Sequence, residues 1–382
     1  MRFFGRNGKD IEMASRCRDG LSDCADAAIG HGAGRSIWAR NKSQTVADAC
    51  ACPKVSVLVP IYNTPEPMLR QCLDSLVGQT LRDIEIIAIN DGSTTGVPRV
   101  IREYADRDAC IRVLDKPNSG YGDSMNKGIA IANGEFIGIC EPDDFADRRM
   151  FADLHRAARR YDADIVKSNF IEHFDGEDGK APHEHLAPIF DAFPYKKPFA
   201  PSDNLAVVRV MPAIWAAIYR RSMLVDNGIR FSSTPGASFQ DTGFVQQCWI
   251  SARRVVLLKK GYLHYRMDNA ASSSKSGAKV MAVCGEYERT FEFLRNRGAE
   301  ALETFGPILN AMRFDGYTWN YDRISPEHHM EFALRWAQDM REQMQAGLVD
   351  EGLLSPRYRK RLALLLESPE EFCAAHPDGI DL

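Results

Sequence analysis

Runs of apolar residues alternate with segments of helical periodicity between residues 54 and 170. An uninterrupted apolar run predicts a strand that is covered on both faces of its sheet. Apolar residues three and four positions apart predict a helix with one buried face. On these criteria we expect strands over 54–63, 84–93, 111–116, 134–144 and 164–170, and helices over 65–79, 97–108, 121–133 and 148–163.

This alternation predicts the class of the fold. Strands that are joined by helices form a mostly parallel sheet with helices on its faces, and the crossover connections are right-handed. Further along, we expect a strand and a helix within 211–231, a helix over 238–254, a strand over 255–267 and helices after about 277. The sequence therefore predicts an α/β fold with a helical C-terminal region.

The same pattern divides the chain into three parts. Residues 1–52 are polar, rich in Gly and Ala, and show no sustained period, so we expect a flexible N-terminal extension. The strands and their helices form a domain over 53–270. The helical region then covers 271–382.

Composition and charge exclude several classes of protein. The 382 residues include 48 Lys and Arg against 52 Asp and Glu, and a net charge of −4 gives no basic excess that would favour nucleic acid as a partner. No apolar stretch reaches the roughly 18 residues of a membrane-spanning helix, and the N-terminus lacks the apolar core of a signal peptide. Cys50 and Cys52 are not followed by a second pair at zinc spacing, so we expect a reducing cytoplasm and no structural metal.

Polar residues stand at the ends of three predicted strands. They are Asn63, Asp91 and the acidic motif Glu141-Pro142-Asp143-Asp144. In sheets of this class the ligand lies beyond the carboxyl ends of the strands. The sequence therefore predicts a binding site at this edge.

The acidic motif indicates a metal. Three carboxylates at the end of an apolar strand repel one another unless a cation neutralises them. A hard divalent cation, Mg²⁺ or Mn²⁺, fits such oxygen ligands. We therefore predict a metal held by Glu141, Asp143 and Asp144. The alternative is that Asp144 is a helix N-cap.

Two other segments carry candidate ligands. Gly120 and Gly122 lead into a predicted helix, whose N-terminal amides suit a phosphate. His173, His183 and His185 lie in the polar, Pro-rich stretch 171–201. They could hold a metal, but the sequence favours side chains on a mobile loop.

Six segments in this order resemble the family 2 glycosyltransferases of the GT-A fold, a Rossmann-related α/β fold. The resemblance covers about 54–270 and is strongest to bacterial enzymes that build capsule, lipopolysaccharide or other cell-surface glycans. The matching segments are VSVLVPIYN (55–63), INDGST (89–94), GYGDSMNKGI (120–129), EPDD (141–144), FQDTGF (239–244) and YLHYRMDNAASSS (262–274).

The resemblance implies which residues contact the nucleotide. Pro60, Tyr62 and Asn63 would lie against the base, and the Asp91 carboxylate would accept a hydrogen bond from it. The alternative for Asp91 is a turn-former in Asp-Gly-Ser.

It also implies contacts with the diphosphate. Asn126 and Lys127 stand where many relatives carry an Arg-Asn pair, although this chain has Met125 before Asn126. His264 and Arg266 resemble late residues that approach the diphosphate, and an arginine can bind two phosphate oxygens. Their alternative is a solvent-facing position on a strand.

Two further residues concern the acceptor. Asp241 matches the family's catalytic base, which takes the acceptor's proton during a single in-line displacement that inverts the anomeric carbon. Its alternative is a helix N-cap. Trp215 lies where the family places aromatic residues on the acceptor side, and a buried core position is the alternative.

The expected function is an inverting, metal-dependent glycosyltransferase of the hexosyltransferase type. It would move a sugar from a nucleoside diphosphate sugar, with UDP the expected nucleotide, to a glycan or lipid-linked acceptor in cell-surface polysaccharide synthesis. The alternative is a non-catalytic, sugar-nucleotide-binding partner of a glycan assembly complex. A nucleotidyltransferase or a dehydrogenase would need a glycine-rich loop after the first strand, where this chain has Asn63-Thr64-Pro65-Glu66.

The segment 355–372 sets Arg357, Arg359, Lys360 and Arg361 just before a run of leucines. Such a helix could lie on the anionic inner face of a membrane, as a peripheral contact of a cytoplasmic protein. The sequence favours the alternative, a terminal helix that packs its leucines on the catalytic domain.

Overall fold

The computed structural model describes residues 53–176, 181–236, 238–268 and 280–380. The extension that was predicted over 1–52 lies outside the described residues. The strands are β1 (Val55–Ile61), β2 (Ile84–Asp91), β3 (Ile111–Lys116), β4 (Phe136–Ile139), β5 (Phe145–Ala146), β6 (Ile165–Phe174), β7 (His183–Ala187), β8 (Ala217–Arg220) and β9 (Val255–Arg266).

The α-helices lie between these strands and after the last of them. They are α1 (Glu66–Val77), α2 (Val97–Ala105), α3 (Tyr121–Ile131), α4 (Met150–Tyr161), α5 (Arg221–Asp226), α6 (Gln240–Ser251), α7 (Ala282–Arg295), α8 (Ala299–Tyr321), α9 (His329–Gln345), α10 (Pro356–Glu367) and α11 (Pro369–Ala375).

One mixed sheet organises these elements, in the order β3-β2-β1-β4-β8-β6-β9-β5, with β7 paired to β6. The first four strands in this order are parallel. In the second half, β8 runs antiparallel to β4 and β6, whereas β9 is parallel to β6. The predicted α/β fold is confirmed, and its parallel half brings the ends of β1, β2, β3 and β4 to one edge.

Burial explains why these segments form strands. Every residue of β1 and β2 is buried, because α3 packs on both strands, α2 packs on β2, and β3 and β4 pair with their outer edges. Uninterrupted apolar runs of this kind can lie only inside a sheet that is covered by helices. The strand predicted over 111–116 has these bounds in the structure, as β3.

The predicted loop over 171–201 is wrong in part. Strand β6 continues to Phe174, and His183–Ala187 forms β7 against it. Strand β7 is exposed along most of its length. An exposed edge strand is held by backbone hydrogen bonds and needs no apolar alternation, so the sequence pattern gave no sign of it.

The C-terminal helices pack on one another and on α6. The Ser232 hydroxyl, which lies before α6, donates to Glu286 Oε2 on α7 at 2.7 Å. The predicted helical C-terminal region is thus confirmed, while the boundary at residue 270 stays a prediction.

Helix α10 packs its leucines inward. Leu362 and Leu365 are buried, and α10 contacts α9 and α11. Arg361 is also buried and donates to the Ile380 carbonyl at 2.7 Å. This arrangement favours a packed terminal helix over a membrane contact. Within the described ranges, no helix is both long and apolar enough to cross a membrane.

Candidate active site

Hydrogen bonds join the turns after β1 and β2 at the carboxyl edge of the sheet. Asn63 has a left-handed backbone (φ 50°), and its N–H donates to Ser93 Oγ at 3.1 Å. Its Oδ1 accepts from the Thr94 N–H at 2.8 Å. Tyr62 exposes 53% of its surface, whereas Pro60 is buried in β1. A fixed turn thus presents an exposed aromatic ring that could stack on a nucleotide base.

Asp91, at the end of β2, is buried and holds the loop that leads into α3. Its carboxylate accepts from the N–H groups of Ser119 at 2.9 Å and Gly120 at 3.0 Å, and it forms an ion pair with Lys116. Sequence reasoning missed Lys116, although a lysine that closes an apolar strand at this edge was an available signal. The structure gives Asp91 a positioning role, and its contact with a base stays a prediction.

The segment 231–236 covers the start of α3. The Tyr121 N–H donates to a carbonyl of this segment at 3.2 Å. A Cβ on Gly122 would stand 1.8 Å from the Ser232 carbonyl oxygen, and one on Gly120 would meet the segment at 2.9 Å. The backbone of this segment therefore lies against both glycines, and this close approach accounts for them; their expected contact with a phosphate stays a prediction.

Asn126 fastens the same segment to α3. Its Nδ2 donates to the Phe231 carbonyl at 2.8 Å, and its Oδ1 accepts from the Phe231 N–H at 2.9 Å. Both ends of the Asn126 amide thus bind backbone, and its expected contact with the diphosphate stays a prediction. Lys127 lies at the surface, 2.9 Å from Asp123, and its contact with a diphosphate stays a prediction.

The acidic motif after β4 brings its carboxylates to the same edge. Glu141 Oε1 accepts from the Tyr121 hydroxyl at 2.7 Å. Asp144 Oδ1 accepts from the Arg266 N–H at 2.9 Å, whereas its Oδ2 is buried and has no hydrogen-bond partner among the described residues. An unsatisfied buried acceptor is costly, so this oxygen is a candidate ligand for a cation. Asp144 is not a helix N-cap, because β5 follows it and Arg149 caps α4.

Burial and the repulsion of neighbouring charges raise the pKa values of Glu141 and Asp144. Burial raises the pKa of Glu141 to about 8. The hydrogen bond from Tyr121 lowers this pKa, whereas the charges of Asp143 and Asp241 raise it further. Burial likewise raises the pKa of Asp144 well above its usual range, and the charge of Asp143 adds to this. A divalent cation would relieve both effects, since Mg²⁺ and Mn²⁺ prefer carboxylate oxygens. The oxygen donors suit the predicted metal chemically, but their ligand atoms do not form a group within 4.8 Å as those of His173, Glu184 and His264 do, so the metal at this motif stays a prediction.

Arg266, the last residue of β9, supports the acidic motif. Its Nε donates to the Asp143 carbonyl at 2.9 Å, and its guanidinium also binds Gln71 Oε1 at 2.6 Å and the Asp175 carboxylate. The side chain is only 3% exposed. The protein itself thus uses this guanidinium to position the motif, and the expected contact of Arg266 with the diphosphate stays a prediction.

Asp241 lies in the first turn of α6, near the acidic motif. Its Oδ1 accepts from the Thr242 N–H at 2.8 Å, and burial raises its pKa. Its charge in turn contributes to the raised pKa of Glu141. Phe239, and not Asp241, is the N-cap of α6. A carboxylate with a raised pKa beside this site is suited to general-base catalysis.

Trp215 belongs to a buried aromatic cluster behind the acids. It stacks on Tyr265 with ring centroids 4.8 Å apart and meets Phe170 edge-on. Burial raises the pKa of Tyr265, and the charges of the acidic motif add to this. Only 6% of Trp215 is exposed, which favours the core alternative. Tyr265 is a site residue that sequence reasoning missed.

His264 forms a second polar cluster. Its Nδ1 lies 2.7 Å from Glu184 Oε1, and the Nδ1 of His173 lies 2.9 Å from the same oxygen. His183 and His185, the other histidines of the predicted alternative metal site, are exposed on β7. The structure thus places His264 in this cluster, and its expected approach to the diphosphate stays a prediction.

The chain is similar to bacterial proteins that are named as glycosyltransferases. The glycosyl transferase family 2 model matches residues 56–227. The glycosyltransferase EpsH of Bacillus subtilis is 34% identical over 260 residues, which are 66% of this chain and 74% of EpsH. The uncharacterized glycosyltransferase EpsJ of the same organism is 33% identical over 223 residues, and the match spans 56% of this chain and 61% of EpsJ. The chain belongs to glycosyl transferase family 2.

Solved structures confirm the GT-A fold. The crystal structure of S. aureus TarS residues 1–349 in complex with UDP-GlcNAc has a TM-score of 0.65 at 19% identity, covering 84% of this chain and 89% of that one. The mannosyltransferase PcManGT of Pyrobaculum calidifontis, in complex with GDP-Man and Mn²⁺, has a TM-score of 0.50 at 16% identity, covering 86% and 88%.

Proposed function

We propose that this chain is an inverting, metal-dependent glycosyltransferase of the hexosyltransferase type, which moves a sugar from a nucleoside diphosphate sugar to an acceptor hydroxyl. One observation carries the proposal. The acidic motif follows β4 at the carboxyl edge of the sheet, and Oδ2 of Asp144 is buried there without a hydrogen-bond partner among the described residues. Membership of family 2 supports the class of reaction.

The donor is proposed to be a UDP-sugar. TarS, which shares the fold, binds UDP-GlcNAc, whereas PcManGT binds GDP-Man, so GDP is the alternative. Pro60, Tyr62, Asn63 and Asp91 are the proposed contacts of the base. The exposed Tyr62 ring supports this assignment, because it stands at the end of β1 on a turn that Asn63 fixes.

The proposed reaction uses the carboxylates in two roles. Mg²⁺ or Mn²⁺, held by Glu141, Asp143 and Asp144, would supply a Lewis acid for the charge of the departing nucleoside diphosphate. The Asp241 carboxylate takes the proton of the acceptor hydroxyl. The acceptor oxygen bonds to the anomeric carbon as the bond from that carbon to the diphosphate oxygen breaks on the opposite face. This single displacement inverts the anomeric configuration.

The acceptor is proposed from the sequence resemblance. It is a glycan or a lipid-linked sugar in cell-surface polysaccharide synthesis. A non-catalytic, sugar-nucleotide-binding partner of a glycan assembly complex is the alternative that an experiment must separate, since such a protein would bind the donor and leave it intact.

The test is a screen of UDP-GlcNAc, UDP-glucose, UDP-galactose and GDP-mannose with the full chain and Mn²⁺. We expect one donor to raise the melting temperature, because a bound ligand stabilises the folded state by mass action. The same donor should release its nucleoside diphosphate in Mn²⁺, and release should stop in EDTA. Binding without release would favour the non-catalytic partner, and full release in EDTA would contradict the metal role.

A second measurement tests inversion. Once a donor is known, the anomeric configuration of the transferred sugar can be read from the proton NMR coupling of its C1 hydrogen. An α-configured donor should give a β-configured product. An α-configured product would contradict a single displacement.

A further inference from the structure

We propose that His173, His264 and Glu184 form a second metal site that binds a divalent transition metal of the Zn²⁺ class. Their ligand atoms all lie within 4.8 Å of one another. The three residues come from the neighbouring strands β6, β9 and β7, and Glu184 lies directly opposite His173 in the β6–β7 register. The site belongs to no step of the proposed sugar transfer.

The donor set suits zinc. The Nδ1 atoms of both histidines converge on one carboxylate oxygen of Glu184, at 2.9 Å for His173 and 2.7 Å for His264. Two imidazoles and one carboxylate, with a water as fourth ligand, are a known ligand set for Zn²⁺. A bound cation would replace the protons that lie between the Nδ1 atoms and the Glu184 carboxylate. Each imidazole ring would then be neutral and carry its single proton on Nε2.

A second carboxylate, that of Asp175, is positioned to accept the Nε2 proton of His173. His173 Nε2 lies 3.1 Å from Asp175 Oδ1. Histidines that bind metals almost always donate their other ring N–H to a carboxylate, carbonyl or water, which fixes the tautomer and the ring. Asp175 is itself held by the guanidinium of Arg266. This arrangement supports a metal on Nδ1 of His173.

Packing holds both rings in place. Phe145 stacks on His264 with centroids 4.4 Å apart and meets His173 edge-on at 4.9 Å. The side chains of His173 and His264 are 12% and 16% exposed, whereas Glu184 is 42% exposed. The two nitrogen ligands are therefore fixed by packing, and the carboxylate side of the cluster is open to the solvent that would supply the fourth ligand.

The cluster is distinct from the acidic motif. The two sites share no residue, although the Arg266 guanidinium contacts both the Asp143 carbonyl and Asp175. The motif offers oxygen ligands, which Mg²⁺ prefers, while imidazole suits zinc and similar metals. A metal in the cluster would join the exposed edge strand β7 to β6 and β9.

The test uses the full chain in excess Mg²⁺, which leaves the imidazole site open. Co²⁺ alone is titrated by visible absorption and Zn²⁺ by calorimetry. We expect one equivalent of Co²⁺ to give d–d bands without a thiolate charge-transfer band, and Zn²⁺ to displace it. His264→Ala and Glu184→Gln should each weaken Zn²⁺ binding by at least about tenfold, since even the outer partners of such ligands contribute 10- to 100-fold.

The matched control is His185→Ala, which removes an exposed histidine next to Glu184 on β7. It should bind Co²⁺ and Zn²⁺ like the parent. Glu184→Gln keeps both histidines and changes a partly exposed side chain, so it tests the site even if His264→Ala does not fold. The proposal is overturned if the parent gives no Co²⁺ bands, or if His264→Ala and Glu184→Gln bind as the parent does. Donor binding and release are measured separately, so they neither support nor contradict this site.

Discussion

A hydrogen bond of 2.9 Å joins the main-chain N–H of Arg266, at the end of β9, to Oδ1 of the Asp144 side chain. It fixes a carboxylate that is only 1% exposed, and its other oxygen has no hydrogen-bond partner in the part of the chain that the structure describes. The preceding residues of β9 are Tyr265, beside the acids, and His264, in the second cluster. Both candidate metal sites are therefore attached to one strand.

Asp144→Asn is expected to lose the stabilisation by Mn²⁺ and to keep or increase the stability of the metal-free protein. The substitution removes a carboxylate whose pKa burial raises, so the folded state no longer holds a charge or an extra proton there. Thermal melts with and without Mn²⁺ measure both effects. Asp226→Asn, at an exposed position in α5, is the control and should respond to Mn²⁺ like the parent. An unchanged Mn²⁺ response in Asp144→Asn would contradict its role as a ligand.

Asp241→Asn should lower the rate of sugar transfer by about 10²–10⁴ while donor binding is kept, because a positioned base acts on the acceptor and not on the nucleotide. In the parent, kcat/KM should fall as the pH drops through the pKa of Asp241, which burial raises. This acidic limb should be missing from the residual activity of the variant. A variant that transfers at the parent's rate would show that another group is the base.

Gly122→Ala should destabilise the protein by about 1–3 kcal/mol or more, as overpacking does. The new Cβ would stand 1.8 Å from the Ser232 carbonyl oxygen, so the segment over α3 must move. Urea unfolding measures the loss. At Gly96 a Cβ would meet its first neighbour only at 4.0 Å, so Gly96→Ala should change the free energy of unfolding little. Equal effects of the two substitutions would contradict the close approach.

Lys167→Met should change how stability depends on pH. Lys167 is buried in β6 and donates to the carbonyls of Pro212 and Ala213 at 2.7 and 2.9 Å. Burial lowers its pKa to about 7. In the unfolded chain the Lys167 amine keeps its proton up to its ordinary pKa near 10.5. Below pH 7 the folded state must also hold the charged amine in its interior, so the destabilisation by Lys167 is largest there. This cost is relieved as the pH rises towards 10.5.

The free energy of unfolding of the parent should therefore rise with pH above 7, relative to Lys167→Met, by at most about 1.4 kcal/mol per pH unit. Urea unfolding at a series of pH values measures this slope. Lys259→Met, at an exposed position in β9, should keep the slope of the parent. Parallel curves for the parent and Lys167→Met would show that the buried amine keeps its ordinary pKa.

The hydrophobic pattern alone predicted much of the fold. Only a sheet between helices can bury the apolar runs of β1 and β2 together with the apolar faces of α1 and α3. The hydrophobic pattern therefore predicts the fold class and most of the element positions. It also placed Asn63, Asp91 and the 141–144 motif at one edge, because the carboxyl ends of parallel strands meet there.

Only the tertiary structure decided what these groups touch. Arg266 and Asn126 read as ligand contacts in the sequence, but their polar atoms bind Gln71, Asp143 and Phe231, which lie far away along the chain. Strand β7 left no apolar signal, since an edge strand is held by its backbone, and so the pairing of Glu184 with His173 could not be foreseen. The sequence determines which residues are buried and which strands end in polar groups. Hydrogen-bond partners depend on which distant segments the fold brings within about 3 Å, and no local pattern records that.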